Sequence, residues 1–241
     1  TREMVRDLIA RKYGIRFHIV SIGRLLKKLG LSAQKPLRRA FQQNPRLVEA
    51  WTRHEFPKIK ALAKRQGAEI FFGDEAGVRS DYHAGTTWGE KGETPVVIST
   101  GARFTINMIS AISSKGHLRF MTVHGGVGAK VFVGFLKRLI LGAKKPIFLI
   151  LDGHPSHKSK IVRKYVESTN GMLKIFLLPS YSPQLNPDEL VWNNVKGRVG
   201  RSMLAGPIDL KKRVHSQMRW LQKNPQVVRN FFQEPNVRYA A

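Results

Sequence analysis

A chain of 241 residues that is 42% hydrophobic can bury one large domain, or a large domain with a small arm, which excludes a disordered polymer. Its 42 Lys and Arg side chains face only 16 Asp and Glu, a net charge of +26, so the surface attracts polyanions and nucleic acid becomes the leading partner. The absence of cysteine excludes disulfides and thiolate metal centres and fits a reducing cytoplasm, and the longest apolar runs, at residues 146–151 and 175–179, are strand-sized, too short to span a membrane.

The charge is uneven. Residues 1–66 carry 17 basic and 4 acidic side chains, making the first quarter the denser basic module. The chain starts at Thr1 inside an apparent helix, with neither Met nor a signal sequence, so an upstream segment is expected to be missing. Residues 2–12 place Met4, Leu8 and Ile9 at helical spacing, with Gly14 as the stop. The next segment sets Ile22, Leu25, Leu26 and Leu29 on one face and Arg24, Lys27 and Lys28 on the other, with Gly30 as terminator. Two short helices with a tight junction read as a helix-turn-helix over residues 1–35, and those three cations are its DNA-contact candidates; two solvated amphipathic helices are the plainer alternative. A basic linker and helix follow at residues 36–66, where Arg38 and Arg39 are further candidates for DNA and Pro57 is expected to break the helix.

From Ala68 the pattern changes to strands. Residues 69–75 form the first, and residues 103–112 and 117–123 form a hairpin around the turn at 113–116. Between them lies a Gly-rich polar loop containing Trp88, a residue suited either to stacking on a base or to packing the loop onto the sheet. A helix at 128–142, a strand at 146–152, a helix at 157–168 and a strand at 173–179 complete the pattern. Uninterrupted apolar strands alternating with helices indicate parallel strands covered on both faces, whereas the hairpin is antiparallel. The expected fold is therefore α/β: a mixed sheet of three antiparallel then two parallel strands, flanked by helices, occupying residues 67–205. A helical tail at 206–241 carries Leu210, Val214, Met218 and Leu221 at helical spacing, for packing or for a dimer contact.

Asp74 and Asp152 each close a hydrophobic strand, and Glu189 opens the helix after a Pro-rich turn. If the two strands are parallel neighbours, both aspartates lie at carboxyl ends, where open α/β sheets place their ligands. Asn186 with Glu189 also resembles a capping box, but helical periodicity puts Glu189, Asn193 and Lys196 on a polar stripe apart from Val191, Val195 and Val199. Glu75 and Asp188 are the neighbouring rivals, pointing elsewhere. Three acids without cysteine, and with histidines outside zinc-type spacing, suit Mg²⁺ or Mn²⁺, and a pair of such ions supports cleavage or transfer of a phosphodiester. His157 is a candidate for phosphate contact, with His154 as a second flanking histidine suited to supporting Asp152 or capping a helix. Lys196, Arg198 and Arg201 line a possible DNA path beyond Glu189, or simply a solvated basic face.

The blocks FFGDEAGV, TTWGEKGETPVV, FLILDGHPSHKS and LPSYSPQLNPDELVWNNVK together resemble the DDE transposases of the mariner superfamily, in its bacterial insertion-sequence branch. The resemblance implies an RNase H-like core in which Asp74, Asp152 and Glu189 are the catalytic, metal-binding acids. It further implies Mg²⁺-dependent cutting of double-stranded DNA at terminal inverted repeats and joining of the 3′ ends to target DNA at TA dinucleotides. A homodimer acting on the bacterial nucleoid belongs to the same expectation. It implies two helix-turn-helix units, of which residues 2–31 supply the second, so this chain alone is expected to recognise ends less well. An RNase H-type nuclease without strand transfer and an inactive, domesticated DNA-binding protein are the competing readings.

Overall fold

A computed structural model of the chain describes residues 1–33, 42–81, 103–123, 125–200 and 206–241, which divide into two units, Thr1–Arg39 and Ala40–Ala241. In the first unit α1 (Arg2–Tyr13) begins with the Thr1 hydroxyl accepting from the Met4 amide at 3.4 Å and ends at Gly14, whose φ of 71° only glycine adopts without strain. Helix α2 (Ile19–Lys28) starts at His18 and buries Ile22 completely, leaving Arg24, Lys27 and Lys28 exposed.

The second unit opens with α3 (Pro45–Ala50), a π-type turn at Trp51–Glu55 and α4 (Phe56–Gln66). The break expected at Pro57 is thus a widened turn rather than a stop. Proline lacks the amide for the helical ladder and its ring crowds the carbonyl four residues back, and the wider turn, with the Phe56 amide reaching Trp51, relieves both.

The sheet comprises β1 (Glu69–Arg79), β2 (Thr105–Ile112), β3 (Leu118–Val123), β4 (Ile147–Leu151) and β5 (Leu173–Leu177), in the order β3-β2-β1-β4-β5. The first three are antiparallel, whereas β4 and β5 run parallel to β1 and to each other. This is the expected mixed sheet, with β1 four residues longer than its apolar core suggests. Helices α5 (Ala129–Ile140) and α6 (Lys160–Ser168) cover one face, packing on Phe71, Ile109, Ala111, Leu149 and Leu151. Helices α4, α7 (Asp188–Val199), α8 (Pro207–Lys223) and α9 (Pro225–Phe231) cover the other, on Phe72, Met108, Ile112, Phe148 and Ile150. The β1 alternation therefore decides which side chains meet which helices: Phe72 and Asp74 face α7, and Phe71 and Glu75 face α5 and α6.

The stripe Leu210, Val214, Met218 and Leu221 is fully buried in this second core, which assigns it to packing. The C-terminus then returns to the turn ahead of Glu189. The Tyr239 hydroxyl donates to the Leu185 carbonyl at 2.7 Å and accepts from the Trp51 indole at 3.1 Å, which fixes that turn from behind. At the other end of the sheet the β2–β3 turn is pinned under α9. Gly116 has a φ of 90°, and a β-carbon there would lie 2.5 Å from the Pro225 carbonyl oxygen. Gly116→Ala is therefore expected to lower the unfolding free energy by about 1–3 kcal/mol, read by urea denaturation as a lower midpoint at unchanged slope.

Candidate active site

The register of β1 and β4 sets Phe72 beside Ile150, so two residues further Asp74 comes level with Asp152, the residue after Leu151. Asn186 brings in the third acid. Its side-chain amide donates to the Gly73 carbonyl at 3.0 Å, and its side-chain oxygen accepts from the Asp188 amide at 3.1 Å, tying the start of α7 to the residue before Asp74. The helix begins at Asp188, with Pro187 as the flanking residue and Asn186 capping from just outside. Val191, Val195 and Val199 are buried, leaving Glu189 and Lys196 half-buried on the neighbouring stripe.

Asp74 sits in a confined polar niche. The Trp192 indole donates to its Oδ2 at 2.9 Å, and Ser110, directly across on β2, donates to Asp188 at 2.6 Å. Burial first, then the charge of Glu189, push the Asp74 carboxyl up to about 8; the Glu75 amide and the indole oppose the rise, and Asp152 adds to it. Burial also raises Glu189, Lys196 pulls it back, and Asp152 raises it further. Asp188 is wholly buried with one oxygen unpartnered; burial lifts it well above the carboxylate range against the Ser110 bond, and Asp74 and Glu189 reinforce the lift. Beyond burial, Asp74 and Asp188 are thus penalised by the charge of Glu189, and Glu189 by that of Asp152, the condition that a divalent cation relieves.

On the opposite face of β1 a second arrangement competes for Asp152. His157, with its side chain 1% exposed, places Nε2 2.8 Å from Glu75 Oε1 and Nδ1 3.0 Å from Asp152 Oδ1, and its ring packs on Phe132. Burial alone would lower its pKa, but the hydrogen bonds to Asp152 and Glu75 overcome that and raise it to about 10. The same contact, ahead of burial and aided by the His154 amide, holds Asp152 below the ordinary carboxylate range. Glu75, Asp152 and His157 present ligand-type atoms within 4.8 Å of one another, the one such group among the described residues. A protonated imidazole between two carboxylates is an ion-paired clamp, and it uses both nitrogens that a phosphate contact would need.

Of the other candidates, Arg24, Lys27 and Lys28 are exposed on α2, and Arg198 is exposed with its guanidinium 4.4 Å above the Trp220 ring. Arg38, Arg39, Trp88 and Arg201 lie outside the described residues. The sequence reading missed Trp192, Ser110 and the pairing of His157 with Glu75. A buried indole needs an acceptor, and one serine inside the apolar β2 was the other available signal.

The model of the DDE superfamily endonuclease family matches residues 69–209, from the first residue of β1 into α8. The chain belongs to the DDE superfamily endonucleases. A winged helix-turn-helix family matches residues 1–55 of this DDE endonuclease. Among solved structures, the Mos1 mariner paired end complex with Mn aligns at 13% identity over 100% of this chain and 78% of that one, TM-score 0.64. The Mos1 strand transfer complex aligns at 14% identity over 100% and 78%, TM-score 0.63. The isolated Mos1 catalytic domain aligns at 13% over 80% and 93%, TM-score 0.51. At that identity the likeness is one of fold. No curated protein matches the sequence.

The clamp has a pH signature in this endonuclease. His157 is raised in the fold from its ordinary 6.5 to about 10, so its stabilisation is full below about 6.5 and is lost as pH climbs through about 10. His157→Ala is expected to cost roughly 3 kcal/mol at pH 6, since it leaves the mostly buried Glu75 carboxylate without its cation. In urea denaturation that penalty should shrink above pH 10; a penalty independent of pH would make His157 a packing residue only.

Proposed function

We propose that this DDE endonuclease is a DNA transposase that cleaves at transposon inverted-repeat ends and joins the freed 3′ ends to target DNA. The observation that carries the reading is Asp74, held by the Trp192 indole and pushed up to about 8 by burial and then by the charges of Glu189 and Asp152. Such a cluster, with an orphaned oxygen on neighbouring Asp188, fits a hard cation held by oxygen ligands. Asp74, Asp152 and Glu189 are the residues assigned to hold Mg²⁺ or Mn²⁺, as two ions. When bound, the metal supplies charge neutralisation at the phosphate and activation of the attacking water or 3′-hydroxyl.

The chain's own groups do the positioning. Trp192 fixes the Asp74 oxygen that it touches, His157 fixes Asp152, and Asn186 fixes the start of the helix that presents Glu189. Lys196, beside Glu189, offers a positive charge for the DNA backbone on the same face of α7. Arg24, Lys27 and Lys28 are assigned to end binding, and Arg38, Arg39, Trp88, Arg198 and Arg201 to the remaining DNA path. Mos1 forms a paired end complex and a strand transfer complex, and by that likeness of fold a homodimer bringing two ends together is part of the proposal. A bacterial insertion sequence and action on the nucleoid complete it; no helix among the described residues is long and apolar enough to cross a membrane.

The test is a plasmid in which the inverted repeats flanking the gene bracket a marker, incubated with protein and Mn²⁺. Cuts confined to the repeat ends, with joined products, are expected, and Asp152→Asn should lower cleavage by at least about 10³-fold. Nicking that ignores the repeats would turn the reading to a nuclease, and binding without metal-dependent cleavage would overturn the enzyme assignment.

A further inference from the structure

The β2–β3 turn lies at the end of the sheet where β1 begins, marked by His117 2.6 Å from Glu69. From Glu69 to Asp74 is about 17 Å of strand, so this end is remote from the acids. Here the turn, the end of α8 and the start of α9 enclose a pocket of about 560 Å³. Lys115, Arg119, Arg219, Lys223 and Arg229 line it, all exposed at their tips, and no acidic side chain does. A second pocket of about 490 Å³ shares Arg119, Arg219 and Gln222 with the first, runs along the outer edge of β3 and adds Arg138 and His215. A third, of about 220 Å³, shares His117 and Arg119 and adds Lys144 and Lys145. Its single acid, Glu69, is the one paired with His117. The three hollows therefore form one channel around the edge strand, with Arg119 common to all, eight Lys and Arg along it and one carboxylate already engaged.

We propose that this channel is a second binding path for double-stranded DNA, gripping the phosphate backbone of a duplex segment away from the cleavage site. The inference rests on the DNA-processing reading above. Confining eight like charges is unfavourable unless a polyanion or solvent screens them, and the walls are held in place rather than free to spread. The Gly116 turn is locked against Pro225, the Gln222 amide donates to the Leu118 carbonyl at 2.9 Å, and the Arg229 guanidinium donates to the Lys115 carbonyl at 3.5 Å. The Arg219 guanidinium lies 6.0 Å from the centre of the Phe120 ring. Lys and Arg side chains spread around a strand edge present charge to regularly spaced phosphates, and the contact proposed is with the backbone and independent of sequence. That suits flanking or target duplex better than a specific end. The same cations also discourage another strand from pairing with β3, and the experiment separates the two roles.

The test is fluorescence anisotropy of full-length protein with a random-sequence 40-base-pair duplex, titrated across NaCl concentration without divalent metal. The triple variant Arg119→Gln/Arg219→Gln/Arg229→Gln is compared with wild type and with a charge-matched control, Lys58→Gln/Lys64→Gln/Arg65→Gln on α4. Each lost phosphate contact removes about 0.9 from the slope of log K against log salt, so the channel variant should fall by about 2 to 3 in slope while the control moves much less. All six positions are exposed, and unchanged thermal unfolding establishes that the fold survives. As a second variant, Arg119→Glu alone should weaken binding by roughly tenfold at low salt. A channel variant that binds with wild-type slope overturns the proposal while leaving the transposase reading intact. Appearance of a new dimer in the channel variant, again with wild-type slope, assigns the cations to edge protection and also overturns it. Failure of wild-type protein to bind duplex at all would defeat both readings.

Discussion

The constraint on which this structure turns is the burial and mutual repulsion of acids gathered from the middle of β1, the residue after β4 and the start of α7. Burial first, then the charge of Glu189 and more weakly that of Asp152, holds Asp74 up to about 8. The surrounding fold is arranged to tolerate this. Trp192 spends its indole hydrogen on Asp74, Ser110 spends its hydroxyl on Asp188, and Asn186 ties the helix carrying the third acid to the carbonyl of Gly73. Such arrangements are seldom kept for stability alone, because an apolar set of the same volume would be easier to bury.

Asp152 stands between two partners, and that gives the site a physical logic. Its carboxylate rests against a buried, protonated His157 that also holds Glu75 on the far face of the sheet. The imidazolium neutralises two acids that would otherwise add to the charge around Asp74. Alternation along β1 makes this possible: Asp74 and Glu75, adjacent in sequence, point to opposite faces, one toward α7 and one toward α5 and α6. The two faces thus divide the acids, and Asp152, beyond the last residue of β4, is reachable from both.

Much of this was legible in the sequence. Apolar runs ending in Asp74 and Asp152 marked parallel neighbours, the alternation at Phe104, Ile106 and Met108 marked the hairpin, and Leu210, Val214, Met218 and Leu221 marked a helix with one apolar face. What was not legible depended on register and on tertiary neighbours. Nothing in the spacing around Trp192 marks it, and only the fold aims its one polar atom at Asp74. His157 reads as a basic residue beside an acid, and only burial against Phe132 makes it a clamp. The eight cations around β3 come from β3 itself, its turn, α5, α8, α9 and the α5–β4 connection, and no stretch of sequence displays them together.

On the proposed function, Asp74, with Asp152 and Glu189, exchanges a proton for a divalent cation. Calorimetric titration of Mn²⁺ at pH 7, repeated in buffers of different ionisation enthalpy, counts the protons released on binding. About one proton per protein is expected from Asp74, and none from this position in Asp74→Asn, whose affinity should also fall. Binding of Mn²⁺ to wild type with no proton released, or with an affinity that Asp74→Asn leaves unchanged, would contradict the account.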